Sequence, residues 1–153
     1  MKKLLIVAHA PSPNTEALVD AALRGARHPD IGGVEVMHIP PLQATHDDVL
    51  ACDAILLGTT ENFGYMSGAL KDFFDRVYYP CLEHTEALPF GLYIRAGLDG
   101  TGTRVAIGKI TAGLKWKQVQ DTVLCHGEYR PAFLDDVEEL GMSMAAGLEA
   151  GIF

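Results

Sequence analysis

Three short stretches of this chain collect the small polar residues and glycines that hold anions and flat ligands, and each follows an apolar run. The first is His9-Ala10-Pro11-Ser12-Pro13-Asn14-Thr15. It leads into a helical pattern, and the free N–H groups and positive dipole end of a helix N-terminus favour a bound phosphate. Ser12, Asn14 and Thr15 add side-chain donors, while Pro11 and Pro13 each remove a backbone donor and fix the turn. The same residues also make an ordinary helix start, with Ser12 as N-cap and Pro13 at the first helical position. The second stretch is Gly58-Thr59-Thr60-Glu61-Asn62-Phe63-Gly64-Tyr65-Met66-Ser67. Its aromatics, Phe63 and Tyr65, serve either as core anchors or as a flat apolar surface for a planar ring. The third, Ala96-Gly97-Leu98-Asp99-Gly100-Thr101-Gly102, has glycines that permit close backbone approach to a ligand, or simply form a strand-to-helix turn.

Other chemistries lack their residues. No GxxxxGK[ST] run is present, which argues against a nucleotide triphosphatase, and the third stretch fits GxGxxG in neither order nor place. Cys52, Cys81 and Cys125 show no CxxC spacing; Cys125-His126 and Cys81 with His84 have no further ligands at metal spacing, so these are read as structural. A formal net charge of −8 offers no basic stripe to neutralise phosphates and argues against nucleic acid. An acidic surface also suits docking to a basic redox partner. No apolar run approaches the roughly 18–20 residues of a membrane span. The N-terminal run Leu4–Ala8 is too short for an export signal, and His9, Pro11 and Asn14 interrupt it. With no such signal, reduced thiols in the cytoplasm are expected.

These stretches need elements to position them. Leu4–Ala8, Ala54–Leu57 and Phe90–Ile94 are continuous apolar runs, as strands covered on both faces require. Val34–Ile39 and Val119–Cys125 are mixed and suit sheet edges. Leu70, Phe73, Phe74, Val77 and Tyr78 place one apolar face on a helix, and Phe133, Val137, Leu140, Met144 and Leu148 do so on the last. Leu18, Ala21, Ala22 and Ala26 mark a first helix, Val105, Ala106 and Ile110 a fourth, and His46–Cys52 a short second one. Strands and helices alternate throughout, which predicts one doubly wound α/β domain over residues 1–153 with a parallel sheet. In such sheets ligands bind outside the carboxyl ends of the strands. The three stretches are the loops at those ends, and the loops at the opposite ends are not comparably rich in Gly, Ser, Thr and Asn.

Gly58-Thr59 followed by Phe63-Gly64, Met66-Ser67-Gly68, Lys71, Phe74 and Asp75-Arg76 resembles the second flavin loop of the NADPH-dependent FMN reductase and quinone-oxidoreductase branch of the flavodoxin superfamily. Ser12–Thr15 is similar to that superfamily's phosphate loop. The resemblance implies a flavodoxin-like three-layer sandwich with a five-stranded parallel sheet of order 2-1-3-4-5, and FMN across the ends of strands one, three and four. It implies phosphate contacts from Ser12, Asn14 and Thr15. Ring or ribityl contacts are implied from Thr59, Thr60, Asn62, Phe63, Gly64, Tyr65 and Met66, with Gly97, Asp99 and Gly100 closing the other side. Thr60, Glu61 and Tyr65 depart from the family's usual proline, threonine and asparagine, and the third loop lacks the Gly-Gly-Gln-Glu run of the quinone reductases. A Glu61 pointing inward would bring a carboxylate near the flavin.

The activity implied is hydride transfer from NAD(P)H through flavin N5 to a quinone or similar acceptor, with no essential general base. A flavodoxin-type carrier between redox proteins is the alternative, followed by a flavin-free binding domain of the same fold. A phospho-receiver lacks its acidic pair after the first strand. Relatives often dimerise, and Tyr78-Tyr79-Pro80 at the end of a helix is a candidate homodimer contact.

Overall fold

The runs Leu4–Ala8 and Ala54–Leu57 are buried along their whole length, as strands must be when helices cover both faces of their sheet. In the computed structural model, which describes Met1–Phe153, they lie in β1 (Lys2–Ala8) and β3 (Ala54–Asn62), with Leu4 opposite Ala54 and Ala8 opposite Gly58. The edge strand β2 (Val34–His38) pairs with β1, and β5 (Pro89–Ala96) pairs with the other side of β3, both in parallel. Beyond β5 the expected single strand over Val119–Cys125 is two pieces. Here β6 (Lys117–Gln118) pairs with the start of β5 and β7 (Val123–His126) with its end. The Val119 N–H still donates to the Phe90 carbonyl, after which the chain bows out; the Gln118 amide bridges the excursion by donating to the Gln120 carbonyl and to Thr122 Oγ1. Counting β6 and β7 as one broken strand, the parallel sheet runs β2-β1-β3-β5-β6/β7, which is the order 2-1-3-4-5 when its five strands alone are numbered along the chain.

Helices α1 (Pro13–Ala26) and α5 (Ala132–Glu149) cover one face; α2 (His46–Ala51), α3 (Gly68–Cys81) and α4 (Thr101–Leu114) cover the other. The expected stripe of α5 is buried in full, and roughly 1.5–3 kcal/mol accompanies each such large side chain removed from water. Helices α1 and α5 touch backbone to backbone: a Cβ on Gly141 would lie 2.2 Å from the Ala22 carbonyl oxygen, so only glycine fits. Helix α4 packs Ala106 and Ile110 of its expected pattern partly buried against the core, but the centre of its inward face lies beside them. Thr103, Ile107, Thr111 and Leu114 are buried, whereas Val105 is half exposed. Threonines at its centre obscure it: Thr111 satisfies its hydroxyl on the Ile107 carbonyl at 2.9 Å, while the buried Thr103 hydroxyl has no partner. Tyr78, Tyr79 and Pro80 form the last turn of α3, which ends at Cys81. Trp116 packs against Phe74 and Phe90, and its indole N–H donates to Thr85 Oγ1 at 2.8 Å.

Candidate functional site at the carboxyl ends of the strands

Strand β3 outruns its neighbours. Its last residues, Glu61 and Asn62, turn back to pair with β4 (Tyr65–Met66) in a hairpin at the mouth of the sheet. The turn is Phe63-Gly64, with φ of 54° and 74°, the double positive φ that a type I′ hairpin turn requires. Asparagine and glycine take that conformation readily, and phenylalanine does so against its steric preference. Phe63 buries nothing in return: it is fully exposed, while Tyr65 is 40% exposed and Leu98 on the third loop 62% exposed. An aromatic held in a strained turn with its ring in water is the strongest sign in the molecule of a surface kept for a ligand.

The rest of the second loop braces this hairpin. Thr59 is buried, donates to the Thr60 carbonyl at 2.9 Å and accepts the Ser67 N–H at 3.0 Å. Ser67 Oγ in turn accepts the Leu70 N–H and caps α3. Met66 is buried as well, so Thr59 and Met66 shape the loop from beneath. Thr60 Oγ1 donates to Asn62 Oδ1 at 2.9 Å along the rim. Helix α4 supports the tip from the side: a Cβ on Gly102 would lie 2.0 Å from the Gly64 carbonyl oxygen.

Glu61 crosses the mouth. Its carboxylate accepts the Leu98 N–H on Oε1 and the Gly100 N–H on Oε2, each at 2.8 Å. In the third loop Gly97 and Asp99 are exposed, and Gly100 (φ 70°) is buried at the N-cap of α4 without any side-chain cap. The backbone and side-chain hydrogen bonds from Thr101 hold the Asp99 carboxyl below its ordinary value.

At the first loop, Ser12 and Thr15 form a capping box at the start of α1. The Ser12 N–H donates to Thr15 Oγ1 at 2.9 Å, and the Thr15 N–H to Ser12 Oγ at 3.3 Å. Both hydroxyls therefore already serve the helix start, and Thr15 is buried, while Asn14 stands exposed on the first turn. Beside them burial lowers the pKa of His9, which keeps that imidazole neutral near pH 7, and the ring of His38 bonds the Ala8 carbonyl at 3.2 Å.

One group escaped the sequence reading, which found no basic cluster. Arg95, in register with Thr60, has its guanidinium 5.4 Å from the ring centre of Phe133 and 5.9 Å from that of Tyr129. Arg130 lies 5.0 Å from the centre of the same Phe133 ring. Neither arginine is ion-paired to a carboxylate. They stand 35 residues apart, so only the β5–β7 pairing and the start of α5 bring them together. The thiols of Cys81 and Cys125 are both buried, and burial pushes the pKa of each up to about 11.

No family model matches the chain. Among solved structures it superposes on a flavodoxin from the domain Archaea with TM-score 0.78 and 17% identity, covering 96% of this chain and 99% of that one. This chain has the flavodoxin fold. Two-electron reduced Megasphaera elsdenii flavodoxin matches with TM-score 0.76 and 21% identity over 94% of this chain and 98% of that one. A flavodoxin, WrbA-like protein from Agrobacterium tumefaciens matches at 0.76 and 18% over 99% of each. In sequence, a curated flavodoxin of Aquifex aeolicus (strain VF5) is 32% identical over 77 residues, which is half of this chain and 40% of that protein. The matched stretch thus spans less than half of the curated relative. The comparisons favour flavodoxins by name; none of them singles out the quinone-reductase branch.

Proposed function

We propose that the chain is an FMN-binding flavoprotein of flavodoxin type that carries electrons between redox partners. The observation that carries this reading is Phe63, fully exposed at the tip of a hairpin braced on α3 and α4, beside exposed Tyr65 and Leu98 at the mouth of a flavodoxin-fold sheet. The residues present fit the group. Phe63, Tyr65 and Leu98 supply apolar faces for an isoalloxazine ring, and the third-loop glycines leave room for its edge. At the first loop, Asn14 and the first turn of α1 suit a phosphate, with the Ser12 and Thr15 hydroxyls close at hand. FMN would supply the electron-transfer chemistry, which no side chain of the protein can perform. The protein's part is to stack the ring, shield it from water and hold the phosphate, and no acid or base is required at the mouth. An acidic chain of net charge −8 suits a basic partner docking around that mouth.

A second reading, reduction by NAD(P)H on the way to a quinone or similar acceptor, is favoured by Arg95 and Arg130. Two guanidiniums beside one aromatic ring, neither paired to a carboxylate although Arg95 Nη1 donates to the Ala96 and Cys125 carbonyls, suit the phosphates of a pyridine nucleotide. Anaerobic titration of the FMN-loaded protein separates the two. Reduction by dithionite in two one-electron steps, with no reaction toward NADH or NADPH, supports the carrier. Direct two-electron bleaching by either nucleotide supports the oxidoreductase. Placement in the cytoplasm and a homodimer through exposed Tyr79 belong to the same proposal, and sedimentation at high concentration tests the dimer.

A further inference from the structure

The Leu98 and Gly100 amides converge on one point, and the chain fills that point itself. Glu61 reaches from the hairpin to the opposite loop and takes both N–H groups, one on each oxygen, at 2.8 Å. The hydrogen bonds are charge-assisted and bidentate, the geometry in which a carboxylate competes best with another acceptor. Glu61 and its two donors lie 37 and 39 residues apart, so this is a tie between elements rather than a local turn. These two are also the side-chain hydrogen bonds that join the second loop to the third.

We propose that Glu61 is a self-ligand of the site: its carboxylate holds the Leu98–Gly100 amide pair in the ligand-free protein, and FMN gains those amides by displacing it. This rests on the FMN reading above. No bond is made or broken in the exchange; two hydrogen bonds pass from a carboxylate to the polar edge of a flavin, and the carboxylate turns out to water. A bracing role for Glu61 makes the opposite prediction. As a brace, its removal loosens the mouth and weakens binding; as a competitor, its removal strengthens it.

The test uses Glu61→Gln, which keeps the shape and loses the charge, and Glu61→Ala, which vacates the position. FMN affinity of the full-length protein is measured by fluorescence quenching at fixed salt. Both variants are expected to bind FMN about tenfold more tightly than the parent, Glu61→Ala at least as tightly as Glu61→Gln. Acetate provides a second readout that needs no flavin. In FMN-free Glu61→Ala it should shift the Leu98 and Gly100 amide resonances saturably, and in the parent it should leave them in place. Weaker FMN binding by both variants, with their thermal unfolding unchanged, would overturn the proposal. So would an amide pair in Glu61→Ala that ignores acetate. If neither parent nor variant retains FMN, the flavin reading fails by itself and the acetate titration alone decides whether the pair is self-liganded.

Discussion

Phe63 sets stability against binding at a single residue. Its positive φ costs about 1–2 kcal/mol for a side chain with a Cβ, and its exposed ring recovers none of that. Phe63→Asn creates the Asn-Gly pair that type I′ turns favour. The variant should be more stable by about 0.5–1 kcal/mol in urea unfolding and bind FMN about two- to tenfold more weakly, the scale of one lost aromatic stack. A variant that loses stability would show the ring to be an anchor after all. Asn14 separates the phosphate role from the capping role. Thr15→Ala removes half of the capping box and should cost about 1 kcal/mol whether or not a phosphate binds. Asn14→Ala touches no cap, so it should weaken FMN binding while leaving the melting temperature in place. The thiols give a pH prediction. Burial first, with Asp53 adding to it, pushes Cys52 up to about 12, and burial pushes Cys81 and Cys125 to about 11. Each folded value lies above the unfolded one, so the unfolded chain releases these protons first as pH rises. Their contribution to stability is complete below about pH 8.5 and is lost as pH climbs toward the folded values. At pH 8 less than about one in a thousand of these thiols is ionised, so a disulfide reagent should label the native chain far more slowly than the urea-unfolded chain.

At the scale of elements, what the sequence revealed follows from periodicity, and what it hid follows from contacts between distant segments. Strands β1, β3 and β5 and the buried face of α5 were legible because apolar runs and a stripe at helical spacing are local signals. The hairpin over residues 61–66 leaves no periodic signal, although Asn62-Phe63-Gly64-Tyr65 carries turn residues, because a two-residue strand has no period to detect. The broken outer strand is obscured by polar residues that bond one another locally, and the centre of the inward face of α4 by two buried threonines at apolar positions. The Glu61 tie and the Arg95–Arg130 shelf had no sequence signature, since each joins residues more than 30 positions apart. The support of the hairpin by α4 is itself testable. Gly102→Ala would drive a methyl group into the Gly64 carbonyl, so the hairpin must move away from α4. A loss of about 1–3 kcal/mol in stability is expected, the usual range for overpacking, together with weaker FMN binding. Unchanged values for both would mean that the tip does not depend on α4.

The whole molecule places its chemistry where the fold dictates. Helices on both faces bury the sheet, so the carboxyl ends of the strands are where loops are free to carry function, and all three suspected loops lie there. The fold was legible from alternation and burial pattern; the choice between electron carrier and NAD(P)H oxidoreductase was not, because both use the same sheet and differ in what docks at its mouth. FMN binding is tested first by the visible spectrum of the purified chain after addition of FMN and removal of the excess. A shifted, structured flavin band retained at one FMN per chain is expected. A colourless protein would contradict it, and would reduce Asn14, Phe63 and the third loop to structural parts of a flavodoxin-fold domain with a different ligand.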